Sequence, residues 1–328
     1  MKIAVLYQVK EPPAIGGIRK PMKPGGYSDS GADIGYCLKS NGVCVITPVD
    51  NPDVNTDTDW VFPDTAEGIE RAIARGADTL WCNTVLYDSH PITRFEGRGG
   101  LYLIGHSAHD THIYDDKYYT NSVLRKHGLP VVNEQIISRD TEYSGSFPCI
   151  LKPIRGRGSS GVVKCESKSE FDKYKKSELD AKIYGGELMA EEFLCGTEIT
   201  ITVFPNGDVL PPVERYNHIN GVAPYNGDVP VTENSRVMKD GGAELDAIGG
   251  ACRDAVRLLN LKGWTRIDCR RGADGEYKIF DFNLKPNMTG NVRPGRENQN
   301  SLIMIAAESI GMTYFDLLKK MTEYRRKA

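Results

Sequence analysis

The chain has 328 residues, of which 40% are hydrophobic and 26% are charged, enough for about two or three domains with filled cores. Its formal net charge of −3 argues against a general nucleic-acid binder and against a polybasic membrane anchor. No apolar run approaches the roughly 20 residues that a membrane-spanning helix needs.

The cysteines and the amino-terminal residues indicate the cellular compartment in which the protein is expected. Eight cysteines are scattered along the chain without a CxxC pair, which is typical of reduced thiols rather than of a disulfide framework or a zinc site. The first residues, MKIAVLY, are too short for a signal peptide and predict a strand. We therefore expect a cytoplasmic protein.

The first third of the chain alternates predicted strands and helices. This alternation is typical of a mainly parallel sheet with helices on its faces. Apolar periodicity and capping residues set the boundaries. In chain order we predict a strand at 2–7, a helix at 28–42 capped by Ser28 or Ser30, a strand at 43–49, a helix at 65–76, and short buried strands at 79–86 and 101–105.

The rest of the chain changes character, because strands joined by short turns replace the strand–helix alternation. The turns PNGD (205–208) and GADG (272–275) predict hairpins, in which the paired strands are antiparallel. In chain order we predict a helix at 116–130, strands around a Gly-rich loop within 147–165, a helix at 167–179, a strand at 187–194, strands on either side of the turn 205–208, a polar loop at 215–236, a helix at 243–260, strands at 264–271 and 276–283 joined by GADG, and a helix near 301–325.

The loop KPIRGRGSSG (152–161) combines three glycines with the cations Lys152, Arg155 and Arg157. Glycines let backbone N–H groups turn toward an anion, and the cations supply charge. The loop lacks the GxxxxGK[ST] pattern of a P-loop. By itself it is equally compatible with a flexible hairpin tip.

Oxygen-bearing side chains alternate on the two strands that GADG joins. Arg266 and Asp268 share one face of the first strand, and Asp281 and Asn283 share one face of its partner. Carboxylate and amide oxygens on one sheet face suit Mg²⁺. The alternative is a solvent-facing polar stripe, which the position of the set after a Lys/Gly-rich loop disfavours.

The order of these motifs resembles the ATP-grasp superfamily, in particular the D-alanine–D-alanine ligases and related amino-acid ligases. The motifs are DK (116–117), KPIRGRGSSG, EEFLCGTE, RID, FDFN, PNMTG and SL (301–302). The resemblance covers essentially the whole chain. It implies an α/β and α+β fold with an N-terminal parallel-sheet α/β substrate domain (1–112), a small central ATP-grasp subdomain with the Gly-rich loop (113–186), and a C-terminal ATP-grasp domain with the metal site and a lid loop (187–328).

The resemblance implies an ATP-dependent carboxylate–amine ligase that forms an amide through an acyl-phosphate and releases ADP and phosphate. One alternative is a specialised biosynthetic ligase that joins an amino acid to a non-alanine carboxylate. Another is a nucleotide-binding protein without turnover, which the intact set of Arg266 and the metal ligands argues against. The expected partners are a small-molecule carboxylate and amine, without nucleic acid or membrane, and a homodimer stays open.

The resemblance also implies roles for individual residues. In the family, Glu usually stands where this chain has Asp281. The lid loop supplies Tyr216 or Tyr225 as an interior hydroxyl. The implied roles are ATP-phosphate contacts for Lys117 and Lys152; loop closure over the phosphates for Gly158, Ser159 and Ser160; adenine contacts for Glu191 and Glu192; a ribose contact for Glu198; two Mg²⁺ ions held by Asp268, Asp281 and Asn283; and catalytic roles for Arg266, Ser159 and Tyr216.

The substrate side departs from the family pattern. The dipeptide ligases hold the amino group of the first alanine with a Glu-containing segment, which here is longer and basic, with Asp29 as a candidate replacement. This departure argues against D-alanine as the first carboxylate. On the acceptor side, GNVRPGRENQN (290–300) is inserted, and Arg293 and Arg296 are predicted to bind an acceptor carboxylate beside Asn287. The alternative is a solvated loop.

Three histidines recur at three-residue spacing in HSAHDTH. Such spacing on a helix would place His106, His109 and His112 on one face, which suggests zinc. Three histidines without a fourth ligand favour an ordinary structural role. We expect a substrate contact from His106 or Ser107 instead.

Overall fold

The structure is a computed structural model that describes residues 1–223, 231–238 and 242–328. Within these residues the chain forms fourteen strands and eight α-helices. The strands are β1 (Ile3–Tyr7), β2 (Val61–Pro63), β3 (Thr79–Asn83), β4 (Tyr102–Ile104), β5 (Glu134–Ile137), β6 (Cys149–Pro153), β7 (Val163–Cys165), β8 (Leu188–Glu192), β9 (Glu198–Val203), β10 (Val213–Arg215), β11 (Ser235–Val237), β12 (Thr265–Arg271), β13 (Tyr277–Asn283) and β14 (Arg326–Lys327). The helices are α1 (Ser28–Ser40), α2 (Ala66–Ala74), α3 (Ala108–Tyr114), α4 (Lys117–Lys126), α5 (Lys168–Ala181), α6 (Ala243–Leu258), α7 (Leu302–Glu308) and α8 (Tyr314–Thr322).

The first sheet has the order β14-β4-β3-β1-β2 and confirms the predicted parallel arrangement. Its first four strands in the chain pair in parallel, and only β14 runs antiparallel, along β4. The strand β1, which lies between β3 and β2, is almost entirely buried, because helices and loops cover both of its faces.

The strand predicted at 43–49 is wrong. This segment makes two backbone hydrogen bonds to Ile3, from Ile3 to Cys44 and from Ile46 to Ile3, and then leaves the sheet. The hydroxyl of Thr47 donates to the carbonyl of Val49 and Pro48 lies between them, so the backbone turns away. The place beside β1 is taken by β2, a three-residue strand that the sequence analysis missed.

The other two sheets are antiparallel, and the larger contains the two predicted hairpins, β9–β10 and β12–β13. The smaller has the order β5-β8-β6-β7 and packs its apolar face on α5. The larger has the order β11-β10-β9-β12-β13 and packs on α6. The short edge strand β5 was missed. The strand β8 lies in the smaller sheet, although the boundary predicted at 186/187 assigns it to the last domain; the domain boundaries stay a prediction.

Two helix predictions need correction. The helix predicted near 301–325 is split into α7 and α8, because Gly311 adopts a positive φ of 79° and Thr313 starts a new helix through a capping box with Asp316. The N-cap residue of α1 is Tyr27, not Ser28 or Ser30 as predicted. The backbone of Tyr27 is left-handed, and its side chain makes no capping hydrogen bond. None of the described helices is long and apolar enough to span a bilayer.

Candidate active site

A cleft of about 1070 Å³ lies between the smaller sheet and the larger antiparallel sheet. It brings together every residue predicted to contact nucleotide phosphate, base, ribose or metal, although these residues come from five separate stretches of the chain. The predicted residues that line it are Lys117, Lys152, Gly158, Ser159, Ser160, Glu191, Glu192, Glu198, Arg266, Asp268, Asp281 and Asn283.

The floor of the cleft is the antiparallel pair β12 and β13. Asp268 lies directly opposite Asp281, and Arg266 lies directly opposite Asn283, so all four side chains share one face. The amide nitrogen Nδ2 of Asn283 donates to Oδ2 of Asp268 at 2.9 Å. The hydroxyl of Thr200 on β9 donates to Oδ1 of the same carboxylate at 2.6 Å. The amide of Asn283 is therefore oriented, and its carbonyl oxygen is the atom left for a ligand.

A lysine from α4 balances the charge of Asp281. Lys117 is the first residue of α4, and its ammonium nitrogen forms an ion pair with Oδ1 of Asp281. Burial alone would raise the pKa of Asp281, but Lys117 and Lys152 outweigh burial and hold that pKa below its ordinary value. The carboxylate of Asp281 is therefore ionised at neutral pH and can bind a cation.

This donor set fits a hard divalent cation. Two carboxylates and one amide oxygen are the ligand types that Mg²⁺ prefers, and Mg²⁺ commonly completes its shell with water and phosphate. Within the described residues there is no group of three or more His, Cys, Asp or Glu side chains that could hold a metal without such help. Asp268, Asp281 and Asn283 thus suit an ion that binds together with a phosphate.

Two guanidinium groups lie beside the carboxylates. Arg266 donates from Nε and Nη2 to the two oxygens of Asp268, both at 3.1 Å. Burial lowers the pKa of Arg266, yet Asp268 more than compensates and raises it, so the charge is permanent. Arg215, at the end of β10, also lines the cleft, and its pKa is lowered by burial and by the charge of Arg266.

Arg215 was missed by the sequence analysis, which predicted Tyr216 or Tyr225 as an interior hydroxyl of the lid loop. The ring of Tyr216 lies 5.3 Å from the guanidinium of Arg236 and does not line the cleft. Successive residues on an extended chain point to opposite sides, so Arg215 and Tyr216 cannot both face inward. The alternation along VER could have identified Arg215. The other tyrosine considered, Tyr225, lies outside the described residues.

Lys152 connects Glu191 on β8 with the main chain of β13. Its ammonium nitrogen forms an ion pair with Glu191 and donates to the carbonyl oxygen of Phe280 at 3.1 Å. Burial raises the pKa of Glu191 to about 7, and Lys152 opposes that shift. The pKa of Glu191 therefore lies closer to neutral pH than that of an ordinary glutamate.

Glu192 and Glu198, the other two glutamates predicted to contact the nucleotide, have charged or hydrogen-bonding partners at the rim of the cleft. Glu192 binds Lys278 at 3.0 Å and accepts from the backbone and side chain of Asn133. Glu198 binds Nε2 of His218 at 2.8 Å. Both carboxylates are thereby held in place at the cleft wall.

The Gly-rich loop and the segment before residue 224 meet over the cleft. Gly158 and Ser159 have positive φ angles of 58° and 63°, which turn the loop sharply above the opening. The hydroxyl of Ser159 donates to the carbonyl oxygen of Ala223 at 3.2 Å, and that of Ser160 lies 3.1 Å from the phenol oxygen of Tyr184. The loop is therefore a cover rather than an isolated hairpin tip.

The arginines of the inserted segment bind the protein itself. Arg293 is buried, and its guanidinium donates to Asp33, to backbone carbonyls and to Asp57. Arg296 also donates to Asp33, at 3.2 and 3.3 Å. The predicted acceptor-carboxylate contact is therefore not supported for Arg293, because its donors are already used. Asp33, which the sequence analysis did not identify, ties this segment to α1.

Three further substrate predictions have different outcomes. The backbone of Gly263 donates to Nδ1 of His106, and Nε2 of His106 binds the carbonyl of Trp264, so His106 has no free nitrogen for a substrate. Oδ2 of Asp29 accepts a hydrogen bond from Nζ of Lys23 at 2.8 Å, so this carboxylate is not free to bind a substrate amino group by itself. Asn287 keeps a buried carbonyl oxygen Oδ1 without a hydrogen-bond partner, so it stays a candidate.

Comparisons with known proteins agree with this geometry. Residues 120–323 match a family model described as D-ala D-ala ligase C-terminus. The D-alanine–D-alanine ligase of Chromohalobacter salexigens is 24% identical over 216 residues, which cover 63% of this chain and 64% of the relative. That of Cupriavidus taiwanensis is 26% identical over 224 residues, 62% of this chain and 61% of the relative. The chain thus spans less than two thirds of the length of these relatives.

Solved structures show the same fold over nearly the whole chain. The structure of a D-alanine–D-alanine ligase from Bacillus anthracis complexed with ATP superposes with a TM-score of 0.70 at 18% identity, covering 99% of this chain and 96% of that one. The VanG D-Ala:D-Ser ligase of Enterococcus faecalis gives a TM-score of 0.65 at 14% identity, covering 98% of each chain. At such identities these similarities describe architecture alone.

Proposed function

Because this chain belongs to the D-ala D-ala ligase C-terminus family, we propose that it is an ATP-dependent carboxylate–amine ligase of the ATP-grasp fold. The observation that carries the proposal is the cleft itself. Lysines, a Gly-rich cover, two carboxylates, an amide oxygen and two guanidiniums surround one space, and phosphoryl transfer requires these parts together.

In the first step, an oxygen of the substrate carboxylate attacks the γ-phosphorus of ATP. The bond from that phosphorus to the β–γ bridging oxygen breaks, which releases ADP and leaves an acyl phosphate. Lys117 and Lys152 lie where they can bind the phosphates, and the loop with Ser159 covers them. Covering matters because water would hydrolyse the acyl phosphate.

In the second step, the amine nitrogen attacks the acyl carbon and loses a proton, and the bond from that carbon to the phosphate oxygen breaks. The products are an amide and inorganic phosphate. Negative charge develops in both steps near Arg266 and Arg215, whose positions are fixed before the reaction. We assign both arginines to charge stabilisation.

Asp268, Asp281 and Asn283 are the residues that would hold Mg²⁺. When bound, the ion supplies charge neutralisation for the transferring phosphate. Membership of the family does not identify the acid and amine substrates, because the substrate-side segments of this chain differ from the family pattern. The eight free thiols agree with the predicted cytoplasmic location.

The proposal is tested by measuring ADP release from ATP with a panel of amino and other carboxylic acids, each paired with amines. We expect release that depends on both an acid and an amine, with the amide product identified by mass spectrometry. Binding of ATP without ADP release for any pair would instead support the nucleotide-binding protein without turnover.

A further inference from the structure

Tyr27 occupies a fixed position at the start of α1. Its backbone is left-handed with φ of 66°, and its side chain is 5% exposed. The preceding Gly26 is pressed against β1, since a Cβ atom there would lie 1.6 Å from the carbonyl oxygen of Gln8. The ring of Tyr27 is therefore held at one place and can serve as a platform.

Three cations surround this ring. The ammonium nitrogen of Lys285 lies 3.7 Å from the ring centroid, the guanidinium carbon of Arg157 lies at 5.0 Å, and the ammonium nitrogen of Lys23 lies at 5.3 Å. They come from the turn after β13, from the Gly-rich loop and from the loop after β1. We call these four residues the Tyr27 cluster. Cation–π attraction to one ring only partly offsets the mutual repulsion of three cations.

The Tyr27 cluster has more positive than negative charge. Lys23 is neutralised by Asp29, with Nζ–Oδ distances of 2.8 and 3.1 Å. Within the part of the chain that the structure describes, neither Arg157 nor Lys285 forms an ion pair. Among the described residues, the ammonium of Lys285 donates only to the carbonyl oxygen of Pro286, at 3.2 Å. The buried Nη1 of Arg157 has no hydrogen-bond partner within residues 1–223, 231–238 and 242–328.

The Tyr27 cluster adjoins the proposed reaction centre. Lys285 follows by two residues Asn283, which ends β13 and lines the cleft. Arg157 lines the nucleotide cleft, whereas Lys23 and Lys285 lie outside its lining. The two cations that form no ion pair among the described residues are thus Arg157, which lines the cleft, and Lys285, which lies beside it.

We propose that the Tyr27 cluster binds a second carboxylate on the acid that becomes phosphorylated, so that the acid substrate is a dicarboxylate such as an acidic amino acid. This inference rests on the proposed ligase function. A carboxylate would supply the partner that Arg157 and Lys285 lack, through hydrogen bonds assisted by charge. The reacting carboxylate of the same molecule would then face the γ-phosphate near Arg266.

The test uses hydroxylamine, which traps an acyl phosphate as a hydroxamate and makes knowledge of the natural amine unnecessary. D- and L-glutamate and D- and L-aspartate are compared with their neutral isosteres glutamine and asparagine and with alanine. We expect kcat/KM for an acidic amino acid to exceed that of its amide by at least about a hundredfold, because only the acid pairs the two cations.

Substitutions assign the preference to the cluster. Lys285→Met should reduce the preference for the acid over its amide about ten- to a hundredfold while the KM for ATP stays unchanged, and Lys285→Arg should restore it. Lys10→Met is the matched control, an exposed lysine of the same N-terminal loop as Lys23. Thermal melting of each variant verifies that it is folded.

The outcomes are distinguishable. If alanine or the amides formed hydroxamate with a kcat/KM equal to or above that of the acidic amino acids, the dicarboxylate inference would be overturned. The proposed ligase function would still be supported. A raised KM for ATP in Lys285→Met, without a change in acid preference, would assign the Tyr27 cluster to the nucleotide and overturn the inference. No hydroxamate from any acid would contradict the ligase function and the inference together.

Discussion

Asp268 and Asp281 lie directly opposite each other on β12 and β13, and each is engaged by a different cation. Arg266 holds Asp268 with two hydrogen bonds, and Lys117 forms an ion pair with Asp281. The pair thus combines two carboxylates at one place with a cation beside each of them. An incoming metal–phosphate unit can bind there without bringing unbalanced charge into the cleft.

Removing one proposed metal ligand should abolish turnover without unfolding the protein. We expect Asn283→Ala to lower kcat for ADP release at least about a hundredfold, because the metal loses an oxygen ligand and Asp268 loses a hydrogen-bond donor. Asp254→Asn, an exposed change on α6, is the control. Near-normal kcat in Asn283→Ala would refute the metal assignment.

The buried cluster around Asp33 should be structural. Arg293→Met removes the hydrogen bond from Nε of Arg293 to Asp33, of 2.6 Å, and leaves a buried carboxylate with one arginine fewer. We expect the free energy of unfolding, measured with denaturant, to fall by about 3 kcal/mol. Arg75→Met, which breaks the exposed pair with Asp50, should change it little. An unchanged unfolding free energy in Arg293→Met would contradict the structural role.

Lys285 should lower the thermal stability of the folded protein in the absence of substrate. It lies among Lys23 and Arg157, and burial together with these charges lowers its pKa well below the ordinary value. Because an unpaired buried charge is unfavourable, we expect Lys285→Met to raise the melting temperature of the ligand-free protein, a trade-off common at functional sites. A lower melting temperature would mean that Lys285 has a stabilising partner.

His106 should make the fold sensitive to acid. Burial lowers its pKa from 6.5 to about 4. The unfolded chain therefore binds a proton between pH 6.5 and 4 that the folded protein does not, so stability is full above pH 6.5 and falls as the pH drops to 4. The loss amounts to about 3 kcal/mol from this group.

Histidine NMR titration checks this prediction. The resonance of His106, assigned with a His106→Gln variant, should titrate near pH 4. A midpoint for His106 above pH 6 would show that burial does not keep its imidazole neutral.

The nucleotide side of the site could be predicted from the sequence because its geometry is local. Strand alternation alone places Asp281 and Asn283 on one face, and a four-residue turn brings that face beside Asp268. The Gly-rich loop connects two neighbouring strands, so its position over the cleft follows from the same sheet. Each of these relationships spans few residues or one hairpin.

The substrate side could not be predicted, because its contacts join distant segments. Arg293 and Asp33 are 260 positions apart and meet only when the inserted segment folds back on α1. The same is true of Lys285 and Tyr27, which no periodicity connects. The missing strand at 43–49 has a similar cause, since a better-placed segment, β2, competes for the edge of β1.

The acyl-phosphate mechanism is tested most directly by following oxygen atoms from the acid substrate to the released phosphate, rather than by measuring a reaction rate. The acid that gives the most ADP in the panel is labelled with ¹⁸O in its carboxylate, and the phosphate released during amide formation is analysed by ³¹P NMR. An acyl-phosphate mechanism predicts one ¹⁸O atom transferred from the acid to each phosphate. Unlabelled phosphate, with ADP and amide still formed, would contradict the account.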